Sequence, residues 1–134
     1  MTTNEKYAMN RTIGIFMGGE IIGTESYDRG GSELVIERWK VPQGIAAYDD
    51  SAKIGYFHYD LHWDRLMSVI EKIEEMGHSV IISRTTCKIV EDFKIYPIID
   101  KTSDEKIDAV YLAICEFVKK HNHEQFLEDL KNEK

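Results

Sequence analysis

The chain has 134 residues, the size of one domain, and its 43% hydrophobic and 31% charged residues are typical of a globular protein rather than a disordered one. Its formal net charge of -7 repels phosphate backbones, so general nucleic-acid binding is not expected. The N-terminal residues lack the apolar segment of a secretory signal, and no apolar run approaches the roughly 18 residues that span a membrane. We expect a single domain over 1–134 in the cytoplasm, with no membrane contact and with Cys87 and Cys115 as buried thiols.

The first predicted element is a helix from about Asn4 to Met17. Ile13, Phe16 and Met17 fall on one helix face, Asn4 suits the capping position, and Gly18–Gly19 would end the helix. Part of this segment also alternates like a strand, but the helical spacing is the better match.

Strands are predicted next. A turn signal at 28–32 separates a short strand at 20–24 from a clearer strand at 33–39. The proline, glycine and acidic residues of 40–51 predict a loop, and the β-rich composition of 53–59 predicts another strand.

A second helix is predicted from about Trp63 to Gly77, where glycine would end it. Its apolar stripe comprises Leu66, Val69, Ile70 and Ile73. Residues 78–83 and 87–99 are rich in β-branched side chains and flank a polar tip, so they predict a β-hairpin, with Pro97 marking an edge or the end of the strand.

A third helix is predicted after Ser103, a suitable N-cap followed by two acidic residues. Its buried stripe comprises Ile107, Val110, Tyr111, Ile114, Phe117 and Val118. The tail from about 122 either extends this helix or forms a short extra one. The order α-β-β-α-β-β-α predicts an α+β fold, with a small antiparallel sheet of about four strands and helices packed on one face.

The stretch GYFHYDLHWDRLM places His58, Asp60, His62 and Asp64 in strict alternation. In a strand these side chains would share one face and could bind zinc or another transition metal, with His58, Asp60 and His62 as the first ligands. The second helix must begin here, however. Asp64 would then cap that helix or lie in its first turn, and the alternation would break after about Asp60. We favour this structural interpretation and predict no metal.

The strand-to-helix junction is also a candidate ligand pocket, because a helix N-terminus attracts anions and aromatic rings can stack on a ligand. The alternative for the rings is packing in the core. The candidate ligand-binding residues are Tyr59, His62, Trp63, Asp64 and, at the tip of the predicted hairpin, Arg84. No catalytic residue and no cofactor are predicted, because the sequence contains no phosphate-loop motif and no recognisable nucleophile with its base.

The segment YDLHWDRLMSVIEKIE resembles a family of short proteins from Bacteroidetes genomes and their phages, which carries YHxSWDWLMPVVEKIE. The matching positions are Tyr59, Trp63, Asp64, Leu66, Met67, Val69, Glu71, Lys72, Ile73 and Glu74. NRTIGIFMGG and IDAVYLAICEFVKKHN are similar to two further family segments in the same order, whereas residues 20–53 match nothing. Asp60 stands where the family has histidine, and His62 where it has serine. The family has no assigned activity, so the resemblance implies only a phage or mobile-element setting in a bacterial cytoplasm.

Three functions remain open. The first is a non-enzymatic binding protein, an accessory or anti-defence factor that sequesters a protein or a small anionic, nucleotide-like ligand. The second is a metal-dependent hydrolase that uses the His58, Asp60, His62 and Asp64 cluster. The third is a structural or virion-associated subunit, which could form a homo-oligomer. Its contact surface would be an exposed apolar patch near Trp39, Val41 or Phe126.

Overall fold

The computed structural model describes residues 1–41, 44–49, 58–92, 94 and 96–132. Within these ranges the chain forms three helices and six strands, which confirms the predicted α+β class. They are α1 (Thr3–Phe16), β1 (Glu20–Arg29), β2 (Ser32–Val41), β3 (Gly44–Asp49), α2 (Trp63–Glu75), β4 (His78–Ser83), β5 (Thr86–Glu91), β6 (Ile99–Thr102) and α3 (Lys106–Asn132). Instead of one sheet of about four strands, the described strands form two antiparallel sheets, β1-β2-β3 and β4-β5-β6.

The chain divides into two compact units, residues 1–65 and 66–134. The first unit holds α1, the first sheet and the start of α2. The second holds the rest of α2, the second sheet and α3. The single domain expected from the length stays a prediction.

The helix α1 begins one residue earlier than predicted and has a different cap. The Thr2 hydroxyl, not Asn4, accepts a hydrogen bond from the Glu5 backbone N–H at 3.1 Å, which satisfies one of the free donors at the helix start. The predicted glycine stop is confirmed: Gly18 has a φ of 94°, a conformation that glycine adopts without a steric penalty. The predicted face is buried at Ile13 and Phe16.

The first sheet begins with a tight hairpin. Gly30 and Gly31 have φ values of 56° and 96°, as a two-residue type I′ turn requires. They connect β1 to β2, and Arg29 and Ser32 form the first pair of the ladder next to the turn. Both strands are longer than predicted. The loop predicted over 40–51 is wrong for Gly44–Asp49, which is β3 and pairs with β2.

The predicted strand at 53–59 lies mostly outside the described residues. Its last two positions, His58 and Tyr59, are described and belong to a turn.

In the second unit, the sequence predictions hold for α2 and for the β4–β5 hairpin. All four residues of the predicted α2 stripe are buried. Strand β5 ends at Glu91, however, and the next strand, β6, begins only at Ile99, the last residue of the predicted strand. Strand β6 pairs with β5 on the side opposite β4. Pro97 precedes β6, where a missing N–H does not break the ladder.

The helix α3 packs on β5 and β6. It begins at Lys106, three residues after Ser103, so the predicted cap at Ser103 is wrong. The Ser103 N–H donates to the Thr85 carbonyl at 3.1 Å and prolongs the sheet pairing. The predicted stripe is buried from Val110 through Val118, with Ile107 half-buried.

Beyond Val118, α3 continues without a break to Asn132, so the tail extends this helix. Its side chains over 119–132 are exposed, apart from a half-buried His121. The exposed apolar side chains of this segment are Phe126, Leu127 and Leu130.

Cys87 and Cys115 are buried thiols, as predicted. Burial raises the pKa of the Cys87 thiol to about 11, and the nearby Asp100 carboxyl adds to this rise. The thiol is therefore protonated and weakly nucleophilic at neutral pH. None of the described helices combines the length and apolar character needed to cross a membrane.

Candidate ligand-binding site

The four alternating polar residues lie on a turn followed by a helix, not on a strand. The Leu61 N–H donates to the His58 carbonyl at 3.0 Å, residues 59–61 form a turn, and α2 begins at Trp63. His58 has a φ of 43°, in the left-handed region that disfavours residues with a Cβ. The predicted break in the alternation is therefore present, and it comes earlier than expected, at His58.

Asp64 lies in the first turn of α2, one of the two positions predicted for it, where a carboxyl faces the positive end of the helix dipole. All four polar residues are described. Among the described residues, no group of three or more His, Cys, Asp or Glu side chains lies close enough together to hold a metal ion. The four residues of the predicted cluster are therefore not assembled into a metal site in this structure.

A buried hydrogen bond fixes the turn to α1. Asn10 Nδ2 donates to Asp60 Oδ1 at 3.0 Å, and the two residues are 0% and 5% exposed. A polar pair withdrawn from water must remain paired, because an unsatisfied buried group costs about 1–3 kcal/mol. Asp60 is therefore a structural anchor of the turn.

Sequence reasoning missed Asn10, which lies 50 positions from its partner. A signal was present. Asn10 stands three residues before Ile13 on the predicted buried face of α1, where an apolar residue would be the ordinary choice.

His58 carries the least satisfied polar atom of the turn. Its ring is half-buried, and its Nδ1 atom is buried with no hydrogen-bond partner among the described residues. Burial lowers the pKa of His58 below the ordinary value of 6.5. The Asp60 carboxyl opposes this shift, while the Arg65 and His62 side chains add to it. At neutral pH the ring is therefore uncharged and can donate one hydrogen bond and accept another.

Exposed groups follow His58 closely along the chain. The His62 ring lies edge-on to His58, with ring centroids 6.3 Å apart, and is exposed. Trp63, predicted either to pack in the core or to stack on a ligand, is 39% exposed, so the core interpretation is wrong for this ring. Asp64 is exposed and Arg65 half-buried. A stacking ring, a cation and hydrogen-bonding groups are thus grouped at the start of α2.

Tyr59 does not offer the stacking surface that the sequence suggested. Its ring is 7% exposed, and burial raises the pKa of its hydroxyl to about 12, with Arg65 acting in the opposite direction. Of the predicted aromatic residues at this junction, Trp63 is the one with an exposed ring within the described residues. Tyr56 lies outside them.

Arg84 belongs to the second unit, in the turn between β4 and β5. It is exposed and has a φ of 53°. The residues that the structure brings together in the first unit are His58, Tyr59, His62, Trp63, Asp64 and Arg65. Arg65 was missed from the sequence, where a single arginine in the first turn of a helix carries no distinctive signal.

The geometry is therefore a strained turn, anchored to α1 by Asn10 and Asp60, beside a helix start with an exposed tryptophan. The His58 Nδ1 atom in this turn has no hydrogen-bond partner among the described residues. No protein family, curated protein or solved structure matches this chain.

Proposed function

We propose that this protein is a small non-enzymatic binding protein that sequesters an anionic, nucleotide-like ligand at the turn before α2. The proposal rests chiefly on one observation: the Nδ1 atom of His58 is buried without a partner among the described residues, on a backbone with a φ of 43°. Both features reduce stability, and folds retain such features chiefly at functional sites.

The phosphate of the ligand would bind at the start of α2. The first N–H groups of a helix are not used by the helix itself, and they point towards an anion together with the positive end of the dipole. Arg65 and His62 add positive charge or hydrogen-bond donors there. In this protein of net charge -7, an anion needs such a local site to overcome the general repulsion.

The rest of the ligand would be aromatic and would carry hydroxyl or amino groups. The exposed Trp63 ring offers a face for a base, and base stacking on an aromatic side chain contributes about 1–3 kcal/mol. The Asp64 carboxyl would repel a bare phosphate but could accept a hydrogen bond from a sugar hydroxyl or an amino group. This combination favours a nucleoside phosphate over inorganic phosphate.

The biological role follows from the resemblance described above. In a phage or mobile-element setting, a small cytoplasmic protein that sequesters a nucleotide would serve as an accessory or anti-defence factor. It would remove a signal or a substrate that the host uses.

The test is a thermal-shift screen against nucleoside mono-, di- and triphosphates, cyclic dinucleotides, free nucleosides and inorganic phosphate. A ligand at about 100 times its Kd should stabilise the protein by roughly 2.7 kcal/mol. Tryptophan fluorescence then reports stacking directly. The quench should disappear in Trp63→Phe, where the remaining tryptophan is Trp39.

The matched control is Met67→Ala, because Met67 is exposed on the next turn of the same helix. Trp63→Ala should weaken binding at least tenfold while Met67→Ala leaves it unchanged. If no compound in the screen raises the melting temperature, and native mass spectrometry of the freshly purified protein finds no bound small molecule, the proposal is wrong. A host protein captured on the wild type and on Trp63→Ala alike would instead indicate sequestration of a protein at another surface.

A further inference from the structure

The strand β4 is an edge of the second sheet. Among the described strands it pairs with β5 alone, on one side. Its side chains alternate: Val80 and Ile82 are half-buried, whereas Ser79, Ile81 and Ser83 are exposed, with Ile81 at 49%. A large apolar side chain therefore stands in water in the middle of an edge strand.

The register shows which backbone groups of β4 face outward. The Asp92 N–H donates to the Gly77 carbonyl at 2.9 Å, so the backbone groups of Gly77 face β5. The N–H and C=O groups of the odd-numbered residues of β4 face β5 as well, because this direction alternates along a strand. On the other side of β5, the Ile98 N–H donates to the Ile89 carbonyl at 2.9 Å, so the backbone groups of Ile89 face β6. They therefore face away from Val80, the residue of β4 that lies opposite Ile89. The even-numbered residues of β4 therefore direct their N–H and C=O groups away from β5.

The two edge strands of this sheet differ in the features that prevent pairing with another chain. Strand β6 is four residues long and carries Asp100 and Lys101. Strand β4 has six residues, HSVIIS, with no lysine, arginine, acidic residue or proline. Edge strands normally carry such residues to prevent pairing with another chain, and β4 has none of them.

We propose that β4 pairs with β4 of a second copy of this chain, in antiparallel orientation about a two-fold axis at Ile81. Val80 would then exchange backbone hydrogen bonds with Ile82 of the second copy. The two Ile81 side chains would lie side by side, where direct cross-strand neighbours are about 4.5–5.5 Å apart. The sheets of the two copies would join into one.

Charge and self-complementarity favour a second copy as the occupant. Two chains of net charge -7 repel each other over most of their surfaces, and a strand without charged side chains avoids that repulsion. The axis places Ile81 against Ile81 and Ser79 against Ser83, so apolar meets apolar and hydroxyl meets hydroxyl. The Lys88 side chains would lie three strand spacings apart, about 14 Å, which exceeds the screening length of roughly 8 Å at physiological salt.

Sedimentation velocity over about 1–100 µM, the range in which weak homodimers form, tests the proposal. The wild type should pass from the 15.6 kDa chain to a species of twice that mass. Ile81→Lys places two like charges side by side at the axis and should weaken the dimer at least tenfold. The side chain is exposed, so the monomer fold should remain. The matched control is Phe126→Lys, an exposed apolar position on α3, which should leave the dimer intact.

Hydrogen exchange of the wild type gives a second measurement that needs no variant. The Val80 and Ile82 amides should become protected as the concentration rises, while the Ile81 amide, already bonded to β5, should change little. A wild type that stays monomeric at 100 µM would overturn the proposal. So would a dimer that Ile81→Lys leaves intact, or one that Phe126→Lys alone disrupts, which would assign the contact to α3.

Discussion

Within the part of the chain that the structure describes, two turns hold a residue other than glycine in the left-handed region, and they do so for different reasons. Arg84, with a φ of 53°, lies in the two-residue connection of the β4–β5 hairpin, where positive φ is an ordinary requirement of the tight turn. His58, with a φ of 43°, follows no such hairpin among the described strands. A buried bond between Asn10 and Asp60 secures its turn instead.

The two turns differ in the surroundings of the side chain on the strained residue. The Arg84 side chain is exposed and can be hydrated, so only the backbone conformation lowers stability at this position. At His58 the strained backbone coincides with a buried nitrogen that has no partner among the described residues. The hairpin accounts for the strain at Arg84, whereas no hairpin among the described strands accounts for the strain at His58, which is therefore the better indication of a binding site.

The largest expected effect comes from breaking the anchor of the first turn. Asn10→Ala removes the donor and leaves the Asp60 carboxyl oxygen buried, so it should lower the free energy of unfolding by about 2–3 kcal/mol. Urea denaturation measures this change. The control is Asp60→Asn, which retains an acceptor oxygen and should cost clearly less. A loss below about 0.5 kcal/mol for Asn10→Ala would mean that the buried bond does not secure the turn.

The next effect has the opposite sign. His58→Gly should raise the free energy of unfolding by about 1 kcal/mol, because glycine adopts positive φ without a Cβ clash and the buried nitrogen is removed. The same variant should lose ligand binding, which would mark a site where function is retained at the expense of stability. A variant less stable than the wild type would show instead that His58 makes favourable contacts in the fold.

The second turn provides the matched variant. Arg84→Gly relieves backbone strain alone and should raise the free energy of unfolding by about 0.5–1 kcal/mol. Nucleotide binding by Arg84→Gly is the sharper measurement, since Arg84 was a predicted ligand residue. We expect unchanged affinity, because the proposed site lies in the first unit and Arg84 in the second. A tenfold loss would contradict this prediction.

The smallest effect is a pH dependence. Unfolded His58 takes up a proton near its ordinary pKa of 6.5, and folded His58 does so only at lower pH, chiefly because of burial. Between these two values the unfolded state binds more protons, so this contribution to stability is present above 6.5 and is lost as the pH falls towards the folded pKa. The difference between wild type and His58→Gln, measured by urea denaturation from pH 8 to pH 5, isolates it. Parallel curves for the two proteins would contradict the prediction.

Local periodicity was enough to predict α2, the β4–β5 hairpin and the buried face of α3. In each case one face is apolar at the helical or strand spacing, and that pattern survives folding. It failed for β3, because proline, glycine and paired aspartates around Gly44–Asp49 favour a loop locally, whereas pairing with β2 decides the structure. Ser103 was misassigned for a similar reason, because β6 extends to Thr102 and α3 begins only at Lys106, so the chain is still leaving the sheet where the local pattern favours a helix start.

The site was predicted less completely than the fold. Asp64 lies in the first turn of α2, one of its two predicted positions, whereas the binding role of this segment stays a prediction. The position of Asn10 on the apolar face of α1 indicated a buried polar residue but not its partner Asp60, since contacts over such separations follow no local pattern. Trp63 was predicted either to stack on a ligand or to pack in the core, and its place in the first turn of α2 leaves the ring partly in water.

The long helix α3 has two halves with different support, and this has a practical consequence. Up to Val118 it is held by the sheet, whereas over 119–132 it depends mainly on its own backbone hydrogen bonds. A helix segment of this length without packing is only marginally stable in water. The segment should therefore be cut first in limited proteolysis, and the rate of cleavage there offers a simple assay for any partner that covers Phe126, Leu127 and Leu130.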